Sequence, residues 1–174
     1  AALILAMTVV LAVVGTHQGF APLQCVRVEM TSPTDANYIP DGRSCESSDG
    51  CYDVEGGGVE GARYNCEHVG LFGTTSIGLG RVRYRGILQD PNELAMVLAI
   101  GLPFAFAFRE RKPSLSRTLV LLAIIGITGV CIVFTRSRGG QLVLAAVLAT
   151  YFVKKRGFRG AIVAAILAAP VLLL

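Results

Sequence analysis

The apolar residues of this chain are gathered into separate blocks, and this distribution constrains the fold more than any other feature. Hydrophobic residues make up 53% of the 174 residues, which is more than a soluble domain of this length needs. The blocks predict an all-α polytopic membrane protein with about five transmembrane helices. The predicted helices are 1–15, 91–108, 118–134, 142–153 and 161–174.

Both ends of the chain fall inside apolar runs. A spanning helix needs about 20 residues, and the runs 1–15 and 161–174 are shorter than this. We therefore expect two truncated helices at the ends of a piece of a larger protein. A cleaved signal peptide is the alternative for the N-terminus, but the run lacks a basic start and VVGTHQG is a poor cleavage site.

Positive charge is concentrated in two short loops, 109–117 and 154–160. The first loop has four cations and one acid, Glu110, and the second has four cations and no acid. Short loops rich in Lys and Arg stay in the cytoplasm. The turn 135–141 and the long loop 16–90 are therefore predicted to lie on the outer face of the membrane.

Four of the five cysteines lie in the long loop, and they are Cys25, Cys45, Cys51 and Cys66. Cysteines confined to a segment outside the cytoplasm predict a pair of disulfides that staple this loop, with the connectivity left open. Zinc bound by four thiolates is the alternative, although the spacing contains no C-x2-C pair. We expect no metal and no other cofactor.

An arginine-rich tract leads from the long loop into the second predicted helix. Arg81, Arg83 and Arg85 alternate with other residues, so an extended chain would place the three guanidinium groups on one face. Asp90 and Pro91 then form a helix start, with the aspartate as N-cap and the proline at the first helical position. The tract could bind an extended polyanion or anchor the chain to lipid head groups.

The turn TRSRGG contains two further arginines, Arg136 and Arg138. Because apolar residues resume at Leu142, we expect Arg138 in or just before the first turn of the next helix. Free N–H groups and the positive end of the helix would favour a bound anion there. The alternative is a turn whose arginines reach toward lipid head groups.

These two tracts, with the spans between them, resemble the O-antigen ligase and O-antigen polymerase family of bacterial inner-membrane proteins. The stretches that carry the resemblance are RVRYRGILQDPNELA and TRSRGGQLVL, and it covers about residues 81–153. The first family motif is matched by Arg83, Gly86, Pro91 and Asn92. The second is matched by Ser137, Arg138, Gly139 and Gly140.

The resemblance implies a multi-pass protein of the bacterial inner membrane with the long loop in the periplasm. It implies transfer of a glycan, without a metal, from an undecaprenyl-pyrophosphate donor to a glycan, lipid or protein acceptor. Arg83 and Arg138 would be the catalytic residues that hold the pyrophosphate leaving group. The residues implied to bind substrate are Arg85, Arg136, Asn92 and Ser137. The family's large periplasmic loop would follow this part of the chain, so the fragment is expected to be inactive alone.

Two other functions remain open from the sequence. One is a segment of a transporter or flippase for an anionic lipid-linked substrate, whose helices would be broken by Gly and Pro in paired positions. Gly101 and Pro103 are candidates for such a break. The other is a membrane-anchored, disulfide-rich binding module. We expect the lipid bilayer as a partner and no nucleic acid.

Overall fold

The computed structural model describes residues 2–32, 35–53, 56–78, 80–84 and 88–173. This part of the chain contains four α-helices and one three-stranded antiparallel sheet. The helices are α1 (Ala2–Phe20), α2 (Pro91–Arg111), α3 (Leu115–Thr135) and α4 (Arg138–Leu173). The strands are β1 (Leu23–Ser32), β2 (Asp35–Ser44) and β3 (Arg63–His68), and all lie between α1 and α2.

The prediction of an all-α fold is wrong, because the long loop contains the sheet. The strand order is β2-β1-β3, so β1 is the central strand and both neighbours are edges. Val26 on β1 is fully buried, whereas Met30 on the same strand is exposed. Only some of the alternating apolar residues of β1 are therefore buried. β2 contains Pro40 and Gly42, which are depleted in strands and tolerated at an edge. Because of these two residues, the sequence did not predict a strand here.

The prediction of about five spans is also wrong. Among the described residues, three helices are long and apolar enough to cross a membrane, namely α1, α2 and α3. The predicted helices 142–153 and 161–174 are instead the two parts of α4. The apolar length of each part is below the approximately 20 residues that a span requires, because the basic residues of 154–160 lie between them.

α4 is interrupted at Gly157, whose φ is 56° and ψ is −136°. A side chain at Gly160 would collide with the carbonyl oxygen of Phe152. In a straight helix these two residues would lie about 12 Å apart along the axis. The chain therefore turns back after Gly157, and glycine permits the positive φ that this turn requires.

α2 forms the centre of the helix bundle and packs against α1, α3 and α4. Leu94, Leu98 and Leu102 recur every fourth residue on α2 and are almost fully buried. A side chain at Gly101 would collide with Thr8 of α1, so this glycine allows the two helices to approach closely. α2 continues as a helix through Pro103, so Gly101 and Pro103 do not form the broken helix that a transporter would need.

The bundle has two chemically different ends. At the sheet end, α1 and α3 finish, α2 and α4 begin, and the Val82 N–H donates to the Phe134 carbonyl at 3.1 Å. At the basic end, the Arg117 guanidinium donates to the Phe108 carbonyl at 3.2 Å across the α2–α3 loop. The two basic loops therefore lie at the opposite end of the bundle from the long loop, as their predicted placement on opposite faces of the membrane requires. The membrane face on which each end lies stays a prediction.

The prediction that the four loop cysteines form two disulfides is confirmed. Cys25 is bonded to Cys51 and Cys45 is bonded to Cys66, so none of the four sulfurs is left as the thiolate that zinc would require. The buried core of the sheet region is small, and Tyr64 is its largest member. A core of this size needs covalent support.

Candidate functional site

The arginine tract crosses the sheet end of the bundle and lies against the last turn of α3. Arg81 Nε donates to the Thr135 carbonyl at 3.1 Å. The next residue, Val82, is fully buried and bonds to Phe134 through its backbone N–H. The structure therefore brings the two arginine-containing tracts next to each other, although they are separated by about two helices in the sequence.

Arg83 is held by groups from three separate segments. Its backbone N–H donates to Gln18 Oε1 of α1 at 2.9 Å, and its Nε donates to the Thr75 carbonyl at 3.1 Å. The guanidinium carbon lies 4.2 Å from the centre of the Tyr38 ring on β2. Only 5% of the Arg83 surface is exposed, so this guanidinium has a fixed orientation.

Arg81 and Arg83 line one cavity of about 400 Å³ between β2 and the start of α2. The other residues of its wall include Tyr38, Gln89, Asp90 and Pro91. Asp90 brings a negative charge, but its carboxylate accepts the Asn92 N–H at 2.7 Å as the N-cap of α2. The cavity wall therefore has two cations and one carboxylate, and that carboxylate is already hydrogen-bonded. The net positive charge of the wall suits an anion.

The helix start predicted at Asp90 and Pro91 is confirmed, and it explains where Asn92 lies. Asn92 is exposed in the first turn of α2, and its Oδ1 lies 3.5 Å from Arg81 Nη2. This predicted substrate-binding residue therefore lies beside an arginine of the cavity. Arg85 and Gly86, the other predicted members of this tract, lie outside the described residues.

The turn between α3 and α4 is shorter than the seven residues predicted for it. α3 ends at Thr135, and Arg136 caps it in the left-handed conformation with a φ of 50°. Ser137 is the N-cap of α4, because its Oγ accepts the Gly140 N–H at 3.0 Å. Ser137 is 1% exposed, and its hydroxyl caps the helix.

Arg138 is the first residue of α4, as expected, and both Arg136 and Arg138 are exposed. Neither forms an ion pair within the part of the chain that the structure describes. A cation at the N-terminus of a helix opposes the helix dipole, so nothing in the local structure explains Arg138. A side chain at Gly140 would collide with Ala95 of α2, and this close packing joins the starts of α2 and α4.

The sequence predicted that Arg81 shares a face with Arg83 and Arg85, but Arg81 was not named as a site residue, and the groups that hold Arg83 were not predicted. The alternation of Arg81 with Arg83 was a usable signal, because both residues do line the same cavity. Gln18, Tyr38 and Thr75 come from α1, β2 and the segment before the arginine tract. Nothing local in the sequence marks them as neighbours of Arg83.

Two polar residues near the site, His68 and Glu67, form hydrogen bonds within the fold. His68 has its Nδ1 2.6 Å from the Ala21 carbonyl. Glu67 is 2% exposed and accepts a hydrogen bond from Ser76 Oγ. Both interactions attach the sheet to the segments beside it.

Comparison with known proteins adds no assignment, because no family model, no curated protein and no solved structure matches the chain. The resemblance to O-antigen ligases and polymerases therefore stays a prediction that rests on the two arginine-containing motifs.

Proposed function

We propose that this chain is part of a membrane glycosyltransferase that uses an undecaprenyl-pyrophosphate-linked glycan as donor. The reaction would take place at the sheet end of the bundle, on the periplasmic face of the bacterial inner membrane. The observation that carries the proposal is the cavity of about 400 Å³ lined by Arg81 and Arg83. Arg136, which caps α3, and Arg138, which begins α4, are close in sequence to Thr135, the residue whose carbonyl accepts from Arg81.

The charges in the cavity wall favour an anion. Among the described residues, the wall contains the guanidinium groups of Arg81 and Arg83 and one carboxylate, that of Asp90, so its net charge is positive. A pyrophosphate supplies negative oxygens that two guanidinium groups can bind through paired hydrogen bonds. The fixed orientation of Arg83 suits a ligand of defined geometry.

The position of the cavity also suits a lipid-linked donor. The cavity lies beside the first residues of α2, a helix that is long and apolar enough to cross a membrane. A lipid-linked donor keeps its polyprenyl chain in the bilayer and presents its pyrophosphate at the interface. A site at a helix end meets both parts of such a molecule.

The arginines would act on the leaving group. As the acceptor attacks the anomeric carbon, the bond from that carbon to the pyrophosphate oxygen breaks, and the pyrophosphate leaves with the bonding electrons. Guanidinium groups already in place stabilise the charge that develops on it. The resemblance assigns the base that takes the acceptor's proton to a periplasmic loop that is not among these residues.

The test is glycan transfer by the full-length protein in membranes. Arg138→Ala should abolish transfer while the amount of inserted protein stays unchanged, and Arg138→Lys should restore little because an ammonium lacks the planar fork. Arg63→Ala is the matched control, since Arg63 is also an exposed arginine but lies on β3, outside both the cavity and the α3–α4 junction. Full transfer by the Arg138→Ala protein would reject the pyrophosphate assignment.

A membrane-anchored binding module is the second candidate, and the disulfide-linked sheet favours it. In that case the sheet would bind its partner and the helices would only anchor it. Binding of such a partner should survive Arg138→Ala, because Arg138 is the first residue of α4 and does not belong to the sheet.

A further inference from the structure

A second cavity lies between α2 and α4 at the basic end of the bundle. Its volume is about 680 Å³, and its wall includes Phe106 of α2 and Val143, Val147 and Tyr151 of α4. Lys154 and Lys155 line it at one end. The arginine cavity, by contrast, lies at the sheet end, so the two cavities are separate.

The walls of this groove are apolar over most of its length. Phe106 and Tyr151 stack with their ring centres 3.8 Å apart and form one firm wall. Val143 and Val147 are one helical turn apart on α4, so they share a face. The helix rises about 16 Å from Val143 to Lys154. The apolar groove along it is therefore long, and a cation lies at its end.

The charges at the end of the groove are unequal. Lys155 Nζ donates to Glu110 Oε1, and the Tyr151 hydroxyl donates to the same oxygen at 3.2 Å. This carboxylate is therefore already neutralised. Lys154 is exposed and makes no ion pair within the described part of the chain. One positive charge thus remains at the mouth of an apolar groove.

We propose that this groove binds one acyl chain of an anionic glycerophospholipid whose phosphate lies at Lys154. An apolar channel that ends in a cation complements a molecule with a hydrocarbon chain and an anionic head. Basic pockets between membrane helices on the cytoplasmic side bind such head groups, and the anionic lipids of that leaflet supply them. The proposal rests on insertion of the helices in a bilayer and does not depend on glycan transfer.

The experiment uses tryptophan as a reporter, because the chain contains none. Val147→Trp places a single reporter in the groove, and Leu122→Trp places one on the exposed face of α3. Both positions lie about 10 Å along the helix from the basic end. Each protein is reconstituted in mixed phosphatidylcholine and phosphatidylglycerol vesicles in which one or the other lipid is brominated, and quenching of fluorescence is measured.

We expect the groove reporter to prefer phosphatidylglycerol by about fivefold, which corresponds to one lysine charge near a membrane surface. Lys154→Gln should remove this preference. Lys112→Gln is the matched control, because Lys112 is also an exposed cation at the basic end but does not line the groove. It should leave the preference unchanged, and the Leu122→Trp reporter should show little preference.

Three results would overturn the proposal. The first is an equal preference at the two reporters, which would indicate general attraction of anionic lipid to the basic end. The second is an identical response to Lys154→Gln and Lys112→Gln. The third is a groove reporter that neither lipid quenches, which would indicate that protein covers the groove. Val143→Trp serves as a second groove reporter if Val147→Trp does not fold.

Discussion

The two ends of the helix bundle both carry cations, but in opposite surroundings. At the sheet end, Arg83 is 5% exposed and is held by the Thr75 carbonyl and the Tyr38 ring. At the basic end, Arg111 and Lys112 are exposed. Within the described residues neither of these two forms an ion pair.

This difference separates two uses of positive charge. Exposed cations in short loops, such as Arg111 and Lys112, are enough to set the orientation of a membrane protein. A buried arginine in the wall of a cavity is not required for orientation, and together with Arg81 it gives that wall a net positive charge. The sheet end is therefore where the pyrophosphate of the proposed donor is to be sought.

Removal of one disulfide should have the largest effect on stability. It should unfold the sheet at one end of the bundle while the helices persist. Replacement of both Cys25 and Cys51 by Ala should destabilise the sheet by about 2–5 kcal/mol, because its buried core is small. The helices should persist, since none of the four bonded cysteines lies in a helix of the bundle. Circular dichroism and limited proteolysis in detergent would measure this, and simultaneous loss of the helices would contradict it.

A smaller effect is expected where α4 starts against α2. Gly140→Ala should cost about 1–3 kcal/mol as an overpacking substitution, because the added carbon would collide with Ala95. Gly139→Ala is the matched control, since the nearest contact of an added carbon there, among the described residues, is Ser137 Oγ at 4.0 Å. Thermal unfolding in detergent compares the two variants, and equal destabilisation would reject this account of Gly140.

The smallest effect is expected at Asp41, an acidic residue of the edge strand β2. Burial raises its pKa, but hydrogen bonds from Arg43 outweigh this and hold the pKa of Asp41 below its ordinary value. A carboxylate with a lowered pKa stabilises the fold above its unfolded pKa of about 3.9, and this contribution is lost as the pH falls through the folded pKa. Asp41→Asn should therefore lower stability slightly at pH 7 and leave it unchanged near pH 2. A difference that persists at pH 2 would contradict the assignment.

Local signals in the sequence predicted the parts of the fold that depend on neighbouring residues. The start of α2 was visible because Asp90 and Pro91 have side chains suited to N-cap and first-turn positions. The disulfides followed from the confinement of four cysteines to one segment. The cap formed by Ser137 was also readable, since serine is a preferred N-cap, but it was interpreted as part of a binding motif.

The remaining features depend on contacts between distant segments. The sheet was missed because Pro40 and Gly42 weaken the strand signal of β2, which is stabilised by its pairing with β1. The surroundings of Arg83 combine Gln18 and Thr75 with a ring from β2. Only the tertiary fold brings these residues together around Arg83, so their spacing in the sequence does not predict the contacts.

Binding of undecaprenyl pyrophosphate to the purified chain in detergent tests the central claim most directly. Arg81→Ala removes one wall of the cavity without loss of a buried residue, and Arg111→Ala removes the same charge at the basic end. We predict binding about tenfold weaker for Arg81→Ala, as expected for loss of a hydrogen bond to a charged group, and unchanged binding for Arg111→Ala. Equal affinities for both variants and the unmodified chain would contradict the assignment of the sheet end as a pyrophosphate site.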